Sequence, residues 1–236
     1  MSSPSLSLAS ALSIVIPTRD AAALLPSCLA SLEEGRRYGL VGEVLVVDGG
    51  SRDDTATRAA ALGARVLAAS PGRGAQLAVG AAASHGGWLL FLHADTLLPP
   101  GWPAVVTAYI AAPENRTRAA YFRLRLDDAG SLPRWLEAGV ALRCRWLGLP
   151  YGDQGLLIAA EFYRALDGFR PLPLMEDVDL VRRIGRHRLG RLAATATTSA
   201  SRYRRDGYPR RVLRNWTCLA LYYLGVPPRL ILRLYA

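Results

Sequence analysis

The sequence contains no lysine, so all 29 of its basic residues are arginine. Arginine is the side chain suited to bidentate phosphate contacts, although a GC-rich genome produces the same bias without any chemical cause. Cysteine is scarce. Cys28, Cys144 and Cys218 are odd in number and far apart, which excludes a zinc-finger spacing and a disulfide framework and points to a reducing cytosol. No uninterrupted apolar run is long enough to span a bilayer. The first ten residues, Met1 to Ser10, are Ser-rich with no basic start, so they do not read as a signal peptide. Neither an internal repeat nor a linker is evident. The expectation is one domain over 1–236, with a nucleotide-binding half at about 11–100, an acceptor half at about 101–205 and C-terminal helices at about 206–236.

A chain of 236 residues, 51% hydrophobic, can bury a full α/β core. Its net charge of +10 suits a nucleotide diphosphate, an anionic lipid surface or nucleic acid. Apolar runs at Leu12–Ile16, Glu43–Val47, Arg65–Ala69 and Trp88–Leu92 read as strands. Helical stretches lie between them at Ala22–Tyr38, from Asp53 or Asp54 to Leu62, and from Arg73 to Ser84. That alternation predicts a doubly wound parallel sheet. After Pro103 the pattern becomes mixed. A helix is expected at Ala104–Ala111, then a strand at Ala119–Leu126 with Tyr121, Arg123 and Arg125 on a wet face. A helix at Ser131–Trp146, a strand at Gly155–Ala159 and a short helix at Glu161–Leu166 follow. Met175–Arg186 reads as a helix, Leu189–Thr198 as a strand, and Tyr208–Leu224 as a final helix that Pro227-Pro228 breaks before a short tail.

The strand Trp88–Leu92 delivers His93 and Asp95 at its C-terminal end, where open α/β sheets bind ligands. Leu97, Leu98, Pro99 and Pro100 then close the chain off from helix and strand alike. Asp95 can take a divalent cation such as magnesium or manganese together with phosphate oxygens and water, and an N-cap is its plainer role. His93 stands beside it as a metal ligand or as a contact to phosphate or ribose. Asp48 ends the second strand. The first strand is followed by Pro17-Thr18-Arg19-Asp20 rather than a Gly-rich turn, and Gly72-Arg73-Gly74 comes only after the third strand. This excludes a dinucleotide-binding Rossmann unit. A carboxylate at Asp48 can instead accept a base N–H, as uracil or guanine offers and N3 of cytosine does not, or simply cap its turn. Glu176-Asp177-Val178-Asp179 places acids at the start of a helix, where the dipole favours them. Their mutual repulsion raises the pKa of at least one, which suits a general base.

Four motifs stand in order: Ser13–Thr18, Val46–Ser51, Leu92–Thr96 and Met175–Asp177. Together they resemble glycosyltransferase family 2, the inverting enzymes of the GT-A fold. Leu92-His93-Ala94-Asp95-Thr96, Tyr151-Gly152-Asp153-Gln154-Gly155 and Leu213-Arg214-Asn215-Trp216 resemble a small bacterial branch labelled arsenosugar-biosynthesis glycosyltransferase, associated with radical-SAM and selenodomain proteins. The resemblance covers Ser13 to about Tyr235. It implies an α/β GT-A fold: a Rossmann-like, mostly parallel sheet flanked by helices, a mixed second half and a helical C-terminal end.

The resemblance also implies a nucleotide-sugar donor, UDP favoured, held by Pro17, Thr18, Asp20, Asp48, Gly50, Arg73 and His93. A manganese or magnesium ion would sit on Asp95 with His93. Asp177 would be the catalytic base, with Glu176 beside it. Asp153, Gln154 and Arg202 would lie on the acceptor or phosphate side. The chain departs from the family at Asp20, where Asn-Glu is usual after Pro-Thr-x, and at His93, where the metal motif begins with Asp. It departs again at Val79, near a usual Asn, and at Arg202-Tyr203, where Arg-Trp is usual.

Two readings compete. A sugar-nucleotide nucleotidyltransferase has a similar sheet but needs a basic Gly-rich loop after the first strand. A nucleic-acid or membrane-surface binder would use Arg202, Arg204, Arg205, Arg210, Arg211 and Arg214, and no nucleic acid is expected as partner. Trp216–Tyr223, with Leu219, Leu221 and Leu224, carries enough apolar surface for core packing, a homodimer or peripheral contact with the inner face of the membrane.

Overall fold

The computed structural model describes residues 11–235, so the reading of Met1–Ser10 lies outside the described residues. The hydrophobic runs found in the sequence become β1 (Leu12–Thr18), β2 (Val41–Asp48), β3 (Arg65–Ala68) and β4 (Trp88–Phe91). Three more long or buried strands follow: β6 (Ala119–Leu126), β7 (Leu156–Ala159) and β8 (Leu189–Thr198). The two-residue β5 (Thr96–Leu97) precedes them in the chain. All eight join one sheet in the order β3-β2-β1-β4-β7-β6-β8-β5. The β1–β2, β2–β3, β1–β4 and β6–β8 pairs are parallel, while β4–β7, β6–β7 and β5–β8 are antiparallel. The mostly parallel first half and mixed second half are those of the GT-A fold.

Helices α1 (Leu25–Arg37), α2 (Thr55–Ala61), α3 (Arg73–Ala82) and α4 (Trp102–Ala111) cover the first half. β1 is buried along its whole length, as a strand covered on both faces must be. Helix α3 lies close to the sheet because Gly80 faces Val15 and Val47. A Cβ there would collide with the Val15 side chain.

The second half adds α5 (Ser131–Leu147), α6 (Ala160–Ala165) and α7 (Glu176–Ile184). The C-terminal end is helical throughout: α8 (Ser201–Asp206), α9 (Tyr208–Tyr223) and α10 (Pro228–Tyr235).

Several expectations change. Thr96 and Leu97 pair with Thr198 and Thr197, so the segment before Pro99-Pro100 is a strand after all. Proline is well placed at the first position of a helix, where its missing N–H has no partner to lose. The stretch after Pro227 is accordingly the helix α10 rather than a tail. Tyr121 is buried instead of wet because Leu124, Val140 and Cys144 pack with it under α5. Arg123 and Arg125 are exposed as expected. Helix α1 starts three residues later than Ala22, behind a turn, with Pro26 in its first turn. The side chain before α2 that binds backbone is that of Asp53, which accepts the N–H of Thr55; Asp54 makes no cap bond.

Candidate active site

The C-terminal ends of β1 and β2 form an open edge. Asp48 accepts the N–H groups of Gly50 and Ser51 on Oδ2, at 3.1 and 3.0 Å, and the Ser51 hydroxyl on Oδ1. It therefore does cap its turn, and the geometry still leaves Oδ1 a lone pair for a further donor. Gly50 has φ +84°, a left-handed conformation that a side chain would strain. Asp20, at φ 51°, ties the two loops together: its N–H reaches Ser51 Oγ and its Oδ1 accepts the Arg52 N–H. Pro17 and Thr18 are buried behind this edge, with the Thr18 hydroxyl on the Val47 carbonyl. Sequence reasoning missed Gln76. Its amide nitrogen donates to the carbonyls of Thr18 at 2.7 Å and Val47 at 2.8 Å, bridging the two strand ends.

Beyond β4 a cleft of about 150 Å³ opens, lined by Arg73, His93, Asp95, Asp153, Asp177 and Arg202 among others. It lies where the chain leaves β4, so the strand predicted to organise the molecule does deliver its polar residues to a cavity. His93 Nε2 is 3.3 Å from Arg73 Nη1. Burial, then the charges of Arg73 and Arg202, hold its pKa well below the ordinary imidazole value. The ring is neutral and accepts from Arg73. Arg73 thus occupies the nitrogen that a metal or a phosphate would otherwise meet. Asp95 differs. Its Oδ1 is buried and unpartnered, and burial raises its pKa against the pull of Arg202. An orphaned carboxylate oxygen of this kind fits a divalent cation. Among the described residues no three His, Cys, Asp or Glu side chains cluster to hold one, so phosphate oxygens and water would have to complete the coordination.

The acids of α7 separate by environment. Met175, at φ 65°, turns the chain into the helix. Asp177 faces the cleft, its Oδ2 accepting the Gly152 N–H at 3.0 Å and its Oδ1 the Val178 N–H at 2.7 Å. Glu176 is buried with Oε1 3.4 Å from Arg73 Nε, and burial with Asp177 raises its pKa. Asp179 faces away, as helix geometry predicts, into ion pairs with Arg170 at 3.1 Å and Arg183 at 2.6 Å. Of the rise expected in the cluster, that on Glu176 comes first from burial, with Asp177 adding to it.

Gly152 and Asp153 sit in a short 3-10 turn, residues Gly152–Gln154, facing these groups. A Cβ on Gly152 would collide with His93 Nε2. Asp153 has a buried, unpartnered Oδ1, and burial pushes its pKa up to about 6 despite Arg143, with Asp177 and Asp95 adding to the rise. Gln154 does not join them. Its amide donates to the Phe122 carbonyl at 3.1 Å and accepts from Cys144 at 3.2 Å, so it braces the sheet; this corrects its placement on the acceptor side.

Arg143, Tyr203, Arg211, Asn215 and Tyr235 also line the cleft and were not predicted for it. They come from α5 and the C-terminal helices; Tyr203, Arg211 and Asn215 stand in stretches already singled out in the sequence, whereas Arg143 and Tyr235 carry no local signal. Most of the arginine run is already paired: Arg204 with Asp127, and Arg205, Arg211 and Arg214 with Asp206. Three of these arginines share the one carboxylate of Asp206. Helix α9 divides as its sequence suggests, with Cys218 and Leu219 buried and Leu213, Trp216 and Leu224 exposed. Among the described residues no helix is long and apolar enough to cross a membrane.

Comparison with known proteins places this geometry in context. The chain is 36% identical over 97 residues to glucosyl-3-phosphoglycerate synthase of Mycolicibacterium paratuberculosis, a match covering 37% of this chain and 29% of that protein. The enzyme of Mycobacterium tuberculosis is 35% identical over 97 residues, covering 37% and 30%. The matched stretch is thus under a third of the length of these relatives. The crystal structure of the Mycobacterium tuberculosis enzyme with Mn2+, UDP and glucosyl-3-phosphoglycerate superposes with a TM-score of 0.56 at 25% identity, covering 80% of this chain and 70% of that one. A crystal structure of a mycobacterial protein gives 0.55 at 27% identity, covering 80% and 64%. Residues 13–135, just over half of the chain, match glycosyl transferase family 2 from β1 into α5. With the sheet order and the acid-lined cleft at the end of β4, that match shows that the chain belongs to glycosyl transferase family 2.

Proposed function

We propose that the protein is an inverting glycosyltransferase that moves a sugar from a nucleotide-diphosphate donor, UDP favoured, to an acceptor hydroxyl. The observation that carries this reading is the gathering of Asp95, Asp153 and Asp177 with Arg73, His93 and Arg202 in one cleft beyond β4. The similar Mycobacterium tuberculosis enzyme was crystallised with Mn2+ and UDP, which supports the same donor chemistry here.

Asp48, Gly50 and Asp20 form the edge on which the base and ribose rest. Arg73 and Arg202 supply fixed positive charge for the diphosphate. Asp95 would hold a manganese or magnesium ion, which, when bound, supplies Lewis-acid stabilisation of the leaving diphosphate. Asp177 takes the proton of the acceptor hydroxyl as its oxygen bonds to the anomeric carbon from the face opposite the leaving group. The Gly152 and Val178 N–H groups fix that carboxylate in place. Glu176 holds Arg73 rather than the acceptor.

The branch labelled arsenosugar biosynthesis is our assignment from Leu92–Thr96, Tyr151–Gly155 and Leu213–Trp216; no residue here is specific to arsenic. We also assign the reaction to the cytoplasm, on the three buried free thiols.

The test is to incubate the protein with UDP-sugars and manganese, follow release of UDP, and determine the anomeric configuration of the product by NMR. Inversion is expected. Retention would remove Asp177 from the role of base, and no turnover or hydrolysis of any nucleotide sugar would overturn the reading.

A further inference from the structure

Three of the five tryptophans are exposed on two helices that wall the cleft. Trp135 is 77% and Trp146 62% exposed on α5, and Trp216 is 50% exposed on α9. Helix α5 uses Val140 and Cys144 to pack beneath it against Tyr121 and Leu124. Leu132, Trp135, Leu142 and Trp146 recur at helical spacing on another face, which nothing covers among the described residues. Helix α9 repeats the plan. Cys218 and Leu219 pack against Leu174, Met175 and Val178, while Leu213, Trp216, Tyr223 and Leu224 stay exposed. Helix α10 buries Ile231 and exposes Leu230 and Leu234. A surface helix needs one apolar face; each of these three has a second.

The charge on these helices identifies the occupant. Neither α9 nor α10 contains an acidic residue, and Arg210, Arg229 and Arg233 are exposed on them. Arg145 lies exposed at the end of α5 beside Trp146. Two copies of such a face would bring like charges together, which opposes a homodimer. Exposed tryptophan and leucine interleaved with arginine match the headgroup layer of an anionic bilayer.

We infer that α5, α9 and α10 dock the protein on an anionic membrane surface, and that the acceptor hydroxyl belongs to a molecule held in that surface. The second part rests on the glycosyltransferase reading and deepens it. Leu136 and Val140 of α5 and Val212 and Trp216 of α9 line the cleft that also holds Asp177, and Trp216 is at once part of the exposed face, so the apolar end of an amphiphile can rest there with its hydroxyl in the cleft.

Flotation of the whole protein with phosphatidylglycerol–phosphatidylcholine vesicles, against pure phosphatidylcholine, tests this. Binding to the anionic vesicles is expected, with a blue shift of tryptophan emission and loss of binding at high salt. The pairs Trp135→Ser with Trp146→Ser, and Arg229→Gln with Arg233→Gln, should each lower the vesicle partition coefficient by roughly tenfold. UDP affinity, measured by calorimetry on the same samples, should not change. Absence of vesicle binding with UDP affinity intact would overturn the docking and leave the glycosyltransferase standing. Vesicle binding without affinity for any nucleotide diphosphate would overturn the acceptor assignment while the docking stood. A wild-type dimer in light scattering that the tryptophan pair converts to monomer would overturn the bilayer as occupant.

Discussion

Replacing Asp153 with Asn should change how stability depends on pH in a way that can be worked from the site. The Asp153 carboxyl has an ordinary value of 3.8 and rises to about 6 in the folded protein, because burial disfavours its charge and Asp177 and Asp95 add to the effect. Below about pH 3.8 both folded and unfolded chains carry this proton, and the group does not oppose folding. Between that point and about pH 6 the unfolded chain has lost the proton and the folded protein still holds it. Stability therefore falls as pH rises across that window, by about 1.4 kcal/mol per pH unit at its steepest.

The full shift corresponds to about 3 kcal/mol at neutral pH, and partial screening by solvent reduces the expected loss to about 2 kcal/mol. Asn keeps the shape of the side chain and has no proton to lose. Urea unfolding of both proteins from pH 4 to 8 should show Asp153→Asn gaining about 2 kcal/mol relative to wild type as pH rises, with the two curves parallel above about pH 7. The difference between the curves is the readout, since Glu176 contributes a fall of its own to each. A constant difference at every pH would refute the burial argument, and a variant that lost ground as pH rose would reverse its sign.

Four further outcomes are expected. Asp177→Asn should keep the fold and nucleotide affinity and lose turnover by roughly a hundredfold, whereas Glu176→Gln and Asp179→Asn lose less; steady-state kinetics that left Asp177→Asn active and Glu176→Gln dead would move the base to Glu176. UDP should bind more tightly than CDP by about 1 to 3 kcal/mol in calorimetry, because the Asp48 lone pair meets a ring N–H at N3 of uracil and an acceptor at N3 of cytosine, and equal affinities would sink that role. Asp95→Asn should abolish the manganese dependence of UDP binding while His93→Ala only weakens binding; retained dependence in Asp95→Asn would place the metal elsewhere. Gly152→Ala should cost about 1 to 3 kcal/mol of stability in thermal unfolding and weaken UDP binding by displacing His93 from Arg73, and unchanged values for both would show that the turn yields easily.

The parts of this molecule that were legible in the sequence are those fixed by local pattern. β1, β2 and β4 are continuous apolar runs with abrupt polar ends, and a run of that kind admits few alternatives to a buried parallel strand. The same abruptness located His93 and Asp95, since whatever follows such a strand must emerge at its carboxyl end. What was not legible depends on which element covers which. Tyr121 alternates with apolar neighbours just as Arg123 does, yet α5 lies over one and not the other. β5 exists because Thr198 is opposite Thr96, a partner 102 positions away that no window around Pro99 contains.

Gln154 and Asp153 illustrate the same limit within one motif. Adjacent residues in a 3-10 turn point in different directions, so one carboxylate reaches the cleft and the neighbouring amide reaches Phe122. Neighbourhood in sequence therefore named the right turn and one wrong side chain. On α7 the helical period separated what the composition could not. It sends Asp179 to Arg170 and Arg183, Glu176 to Arg73 at the cleft wall and Asp177 to the Gly152 N–H in the cleft, and the three acids that look alike in the sequence acquire three different surroundings. Asn215 and Tyr235 complete the same cavity from helices that the chain reaches only after closing the sheet, and Arg143 joins them from α5, between β6 and β7. The family match spans residues 13–135. The far wall of the cleft is built largely from late residues beyond that match, whose pattern is amphipathic and Arg-rich.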